Sequence, residues 1–441
     1  MNKCLTSGAM IFCSRDIASV GGGTRFVKEL LRKGTIVVML GTGGVGKTTM
    51  AAALGLAAAR EGLNTGLITV DPARRLREAL GLERLSAQPR RLDARRLRAA
   101  GLDSSLRLSA MMLDVKRTWD TLVRDFVKSP EARGRILENP FYRSLTQQFA
   151  GADAYAALEQ LDELHRSGQF DIEIVDTPPA AHAFEFFEAP RHLVRLLDSP
   201  AARWLFTPET SLSRDALTIA GRAARFVISQ LETFTGTRTL SALSEFFGLA
   251  AEAAAALSER FHKTEAMMHS ASVSFVLVTT PGDDRLHESL QLATLTQQQN
   301  FNLRWIVLNR MLDERTFDAL RGGRQRPPGH LADIARLRRA LGADAATDPK
   351  LAGLVGYLEN YRARQVLEVE RAVRFAHELP PPISLSITPA VESGVRDLRS
   401  LANLSSFLLR PTPGRKFLHN AADALGIATA HEKAPARRSV R

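Results

Sequence analysis

With 441 residues and 45% hydrophobic side chains, the chain has room for one large globular core or two ordinary ones. A net charge of +12 invites a polyanionic partner, yet aromatics are only 6% and do not interleave with the basic runs, so nucleic acid is not an expected partner. No apolar run approaches the roughly 20 residues that span a bilayer, and the N-terminus lacks a secretory apolar core. Two cysteines, Cys4 and Cys13, cannot build a disulfide framework or a four-cysteine zinc site; the expected location is cytoplasmic.

In chain order, the first strong element is the apolar run Thr35–Leu40, which reads as a strand. It runs into Gly41-Thr42-Gly43-Gly44-Val45-Gly46-Lys47-Thr48-Thr49, a match to G-x-x-x-x-G-K-[ST]. The glycines let backbone N–H groups turn toward phosphates, Lys47 supplies a point charge for the β/γ oxygens, and the Thr48 hydroxyl is placed to hold Mg²⁺. The alanine-rich helix that follows adds the positive end of its dipole. Further strands are expected at Thr65–Val70, Ile172–Asp176, Ser274–Thr279, Trp305–Asn309 and Ile383–Ile387, separated by helical segments. This alternation predicts an α/β fold, a doubly wound and mostly parallel sheet of the P-loop NTPase kind. Two long stretches, about 80–165 and 190–270, read as helical insertions. Within the second, Leu240, Leu243, Phe246, Phe247, Ala250, Ala254, Leu257 and Phe261 keep the period of one helix face, either packed in the core or lining a groove for another polypeptide. From Pro411 the pattern weakens, and residues 411–441 are expected to be a basic, disordered tail in which Phe417, Leu418, Ala421, Ala422 and Leu425 make at most a frayed helix. Residues 1–34 read as an N-terminal extension.

Two strand ends carry a carboxylate beside the phosphate loop. The second strand ends in Val70-Asp71-Pro72-Ala73 and the third in Val175-Asp176-Thr177-Pro178-Pro179, with His182 shortly after. Carboxyl ends of parallel strands face the ligand crevice, where a nucleotide hydrolase needs groups to organise Mg²⁺ and place the attacking water.

The trio Gly-Gly-Val-Gly-Lys-Thr-Thr, Val-Asp-Pro-Ala and Asp-Thr-Pro-Pro-Ala-Ala-His resembles the ArsA family, which contains the arsenite-pump ATPase and the ATPase that targets tail-anchored membrane proteins. These are relatives of the MinD and ParA dimeric ATPases with a variant Walker A loop. The resemblance covers about Thr35 to Leu401 and implies ATP and Mg²⁺ as ligands. It implies that Asp71 in switch I positions the hydrolytic water. In switch II, Asp176 sits on the Mg²⁺ shell through water, while Thr177, Pro178 and His182 sense the γ-phosphate. Asn309 and Pro389 resemble the family's adenine-contacting elements, and Arg310 after Asn309 departs from guanine-reading loops, so adenine is the expected base. Where the family has a lysine that reaches a dimer partner's nucleotide, this chain has Thr42. Thiolate-based arsenite binding is not expected with only Cys4 and Cys13, and the Cys-x-x-Cys pair that holds zinc between subunits is missing. The expectation is a Mg-dependent, dimeric ATPase, a homodimer or a heterodimer with a lysine-bearing paralogue, coupling nucleotide state to a protein client or membrane-protein partner. The alternatives are an assembly protein with little turnover and a ParA/MinD-like positioning ATPase.

Overall fold

The structure, a computed structural model, describes residues 27–70, 74–82, 84–148, 152–177, 253–322, 349–391 and 394–427, with isolated positions at 191, 195, 245, 246, 248–250, 335, 336, 339 and 340. Its centre is a nine-stranded sheet. In chain order the strands are β1 (Thr35–Leu40), β2 (Thr65–Thr69), β3 (Arg90–Arg91), β4 (Leu108–Met112), β5 (Ile172–Asp176), β6 (Val273–Thr279), β7 (Leu303–Leu308), β8 (Ser384–Ile387) and β9 (Thr412–Pro413). Their spatial order is β3-β4-β2-β5-β1-β6-β7-β8-β9, with only the two short edge strands antiparallel.

Both faces of the sheet are buried, which is why its central strands read as continuous apolar runs rather than alternating ones. Ile36, Val38, Leu40, Val175, Phe275 and Leu277 face one layer, and Val37, Met39, Ile172, Ile174, Val276 and Val278 face the other. The first layer is covered by α7 (Ala152–Arg166), α9 (Asp283–Gln298), α10 (Glu314–Gly322), α11 (Pro349–Glu378) and α13 (Gly414–Leu425). The second holds α1 (Lys47–Arg60), α2 (Arg74–Ala79), α3 (Ala94–Ala99) and α12 (Leu398–Leu409). Helix α1 is buried along nearly its whole length, between the sheet and α12, so an all-round apolar composition suits it. A separate cluster of Trp119, Leu122, Tyr142, Tyr155 and Phe261 joins α4 (Val115–Phe126), α5 (Pro130–Glu138), α6 (Pro140–Gln148), α7 and α8 (Ala254–Met268).

Three readings of the sequence differ from this arrangement. Residues 80–165 are not helical throughout: Leu108–Met112 is a parallel strand paired with β2. That run, Leu-Ser-Ala-Met-Met, has no β-branched residue, so its strand character comes from pairing and burial rather than propensity. Residues 411–427 are not a disordered tail. Pro413 pairs with Ser386, and α13 buries Phe417, Leu418, Ala421, Ala422 and Leu425 in the main core. That apolar face is a core face, seated so closely that a Cβ on Gly414 would lie 2.5 Å from the Leu385 side chain. Residues 27–31 are also part of the domain, since Val27, Leu30 and Leu31 are buried. Along the 240–261 stripe, Ala250 and Phe261 are core residues, and Phe246 packs on Phe141 and Tyr142 at ring-centroid distances of 5.3 and 6.3 Å. Leu240, Leu243 and Phe247 lie outside the described residues, as do Cys4 and Cys13.

Candidate nucleotide site

Register places the carboxyl ends of β1, β2 and β5 side by side. Asp176 is opposite both Met39 and Thr69, and the Val70 N–H donates to the Asp176 carbonyl at 3.2 Å. The loop after β1 therefore emerges next to the two strand ends that lead into the Asp71 and Pro178 segments. Asp71, Pro178 and His182 themselves lie outside the described residues.

The loop's glycines are required by geometry at two positions. Gly41 has φ +154°, and a Cβ there would lie 2.6 Å from the Val278 carbonyl oxygen. Gly46, at φ +93°, caps α1, and a Cβ there would lie 2.6 Å from Nδ2 of Asn309. Gly43 and Gly44 form the exposed tip, while Val45 is buried and anchors it. Gly46 gives no side-chain cap and α1 has no acidic residue in its first turn, an arrangement in which the leading N–H groups suit an anion.

Lys47 is buried, and its Nζ lies 3.3 Å from Oδ1 of Asp176 and donates to the Thr177 carbonyl. The Thr177 hydroxyl donates to the Met39 carbonyl at 2.7 Å, tying the end of β5 to β1. Thr48 and Thr49 are half-buried on the first turn of α1. Oxygen donors such as the Thr48 hydroxyl and the Asp176 carboxylate suit a hard cation of the Mg²⁺ type, so this donor set fits the ion. The Thr42 hydroxyl is buried with no partner among the described residues. Thr42 is only 4% exposed, so its side chain lies within the fold rather than on the loop's outer rim.

The end of β7 grips the loop from the opposite side. Asn309 donates from Nδ2 to the Val45 carbonyl at 2.8 Å and accepts from the Thr388 hydroxyl at 3.0 Å. Arg310 donates from Nη1 to the Gly44 carbonyl at 3.1 Å. Asn309 is thus a brace on the phosphate loop. Pro389 is buried immediately after Thr388. The motif reading did not anticipate Thr388 or the contact of Arg310. Their only signal was position, next to Pro389 and Asn309.

The profile of the anion-transporting ATPase family matches residues 34–326. Among curated relatives, the ATPase GET3 of Malassezia globosa is 27% identical over 157 residues, covering 36% of this chain and 43% of its own length. An uncharacterised protein of Streptomyces coelicolor is 31% identical over 192 residues, 43% of this chain and 44% of that one. The arsenical pump-driving ATPase of Escherichia coli is 29% identical over 154 residues, 35% of this chain and 23% of its own. Each match spans less than half of the relative's length. A P-loop braced between two parallel strand ends and a family profile over most of the sheet converge: the chain belongs to the anion-transporting ATPase family, the ArsA type.

Proposed function

We propose that this protein hydrolyses ATP in a Mg²⁺-dependent reaction and uses the cycle to time its association with a partner. The observation that carries the reading is the joining of Lys47 on the phosphate loop to Asp176 and Thr177 at the end of β5, which links the cradle to the segment expected to respond to the γ-phosphate. In this reading the loop N–H groups and Lys47 hold the β/γ oxygens. Lys47 then exchanges its contacts with Asp176 and Thr177 for the phosphate, which frees that strand end to take a second position. Thr48 and Asp176 would hold Mg²⁺, Asp176 through water. When bound, the ion would neutralise negative charge on the phosphates. Asp71 positions the attacking water and accepts its proton, while Thr177, Pro178 and His182 relay the state of the γ-phosphate.

The proposed assembly is a dimer closed by ATP, as the resemblance implies, with a protein client or a membrane-protein partner. Among the described residues no helix is long and apolar enough to cross a membrane, so a membrane partner would be met at the surface. The low-turnover reading keeps one specific support, the neutral and buried Thr42. Phosphate release by the purified protein tests the first reading. Turnover should require Mg²⁺, and Asp71→Asn should lower it about 10²- to 10⁴-fold with ATP still bound. An Asp71→Asn variant as fast as wild type would remove the assignment.

A further inference from the structure

We propose that Arg310 is the base shelf of this site: its guanidinium lies against the face of the purine, taking no part in phosphate binding. The inference rests on the nucleotide reading above and adds a residue to it.

The side of the loop on which Arg310 sits decides its role. In a phosphate loop successive N–H groups converge on the anion, so the carbonyls of the same residues point away. Asn309 and Arg310 take two successive carbonyls, those of Val45 and Gly44. The guanidinium is therefore on the carbonyl side, the wrong side for an arginine acting on a transferring phosphoryl group. It is exposed, and among the described residues no carboxylate pairs with it within 4 Å. Among the described residues its one hydrogen bond is to the Gly44 carbonyl, and a guanidinium held edge-on by its N–H group can offer its planar face to a ring.

Sheet order indicates what would meet that face. The groups suited to the γ-phosphate end, Lys47, Asp176 and Thr177, lie at β1 and β5. From β5 the order runs β1, β6, β7, so the backbone that carries Arg310 stands three strand spacings away, roughly 14 Å, and its side chain reaches back to the Gly44 carbonyl on the β7 side of the loop. An extended nucleoside triphosphate with its reactive end at β5 brings its base to this place. A guanidinium plane stacks on an aromatic face in a way a lysine ammonium does not.

The aim of the side chain is built in. Arg310 has φ +58° and Leu312 φ +60°, left-handed conformations that cost energy for residues other than glycine. They are held by Met311 N–H to the Thr388 carbonyl at 2.9 Å, Ala390 N–H to the Leu312 carbonyl at 2.8 Å, and Leu312 N–H to Oε2 of Glu368 on α11 at 3.2 Å. The segment carrying Arg310 is thus laced to the one carrying Pro389, and the two form adjoining walls.

Titration of the full-length protein with Mg-ATP and, separately, with Mg-tripolyphosphate tests this. Arg310→Ala should weaken ATP about tenfold and tripolyphosphate by no more than about twofold, because stacking needs the base. Arg310→Lys, which keeps the charge and can still reach Gly44, should leave ATP weakened by at least about threefold. Equal weakening of both ligands by Arg310→Ala, no effect on ATP, or full recovery by lysine would each overturn the shelf. Lys47→Ala in the same series should weaken both ligands. Wild-type protein that bound neither ligand would sink the nucleotide reading and the shelf with it, whereas wild-type binding unaffected by Arg310→Ala removes the shelf alone.

Discussion

Gly46 is where the phosphate loop, the start of α1 and the end of β7 meet, and its missing side chain serves all three. Its φ of +93° is strained for any other residue, and a Cβ would press on the amide that braces Val45. Gly46→Ala should therefore displace Asn309 from the loop and weaken ATP by more than tenfold, at a stability cost of about 1–3 kcal/mol. Nucleotide titration beside a thermal melt measures both. An alanine variant that binds like wild type would mean that the loop re-forms freely around the methyl group. At this scale the sequence was informative wherever chemistry dictates spacing. Lys47 and Asp176, 129 residues apart, meet because one follows the loop leaving β1 and the other ends β5, two paired strands whose apolar patterns were plain. The Thr388–Asn309 bond and the left-handed Arg310 were not legible. The first depends on how two strand ends align, and the second occurs at a residue type that gives no hint of positive φ.

Among the elements, α7 and α8 are joined by charge as well as by rings. Arg260 places Nε 2.6 Å from Glu159 and Nη2 2.8 Å from Asp162. Glu159 also accepts from the Tyr155 hydroxyl at 2.9 Å and the Thr264 hydroxyl at 3.0 Å. Burial first, and then the Glu159 carboxylate, push the Tyr155 phenol far above its ordinary range, which keeps it a donor in this network. Arg260→Ala removes the only cation paired with buried Glu159 among the described residues, whereas Asp162 keeps Arg166 at 2.9 Å. It should cost about 3–5 kcal/mol, since breaking a buried pair leaves charge uncompensated. Chemical denaturation reads that loss directly, and a change under about 1 kcal/mol would show the acids finding solvent instead. The network was invisible in the sequence, where these residues sat in a stretch read only as helical. For β4 and α13 the difficulty was different. A five-residue strand without β-branching and a short terminal helix are both specified by the neighbours that bury them, so local pattern could not identify either.

For the whole molecule, the sheet that carries the site is built by one chain, yet the expected trans-acting lysine is replaced by Thr42. That side chain is buried, with its hydroxyl unpaired among the described residues. A lysine there could not keep its ammonium in the same place, because burying an unpaired charge is far costlier than burying a hydroxyl. It would have to turn outward over the loop, toward whatever faces the site. If ATP closes two copies of this chain face to face, the displaced ammonium of Thr42→Lys arrives where phosphoryl charge develops. Turnover per chain should then exceed wild type and should rise with protein concentration until the dimer saturates. Wild type should show the same dependence on concentration at a lower plateau, because each copy closes the other's site without adding a cation. Phosphate release measured across a hundredfold range of concentration, beside sedimentation with and without ATP, separates assembly from chemistry. Rates that stay flat with concentration in both proteins would mean that each chain completes its own site, and the dimer would then have no part in the cycle.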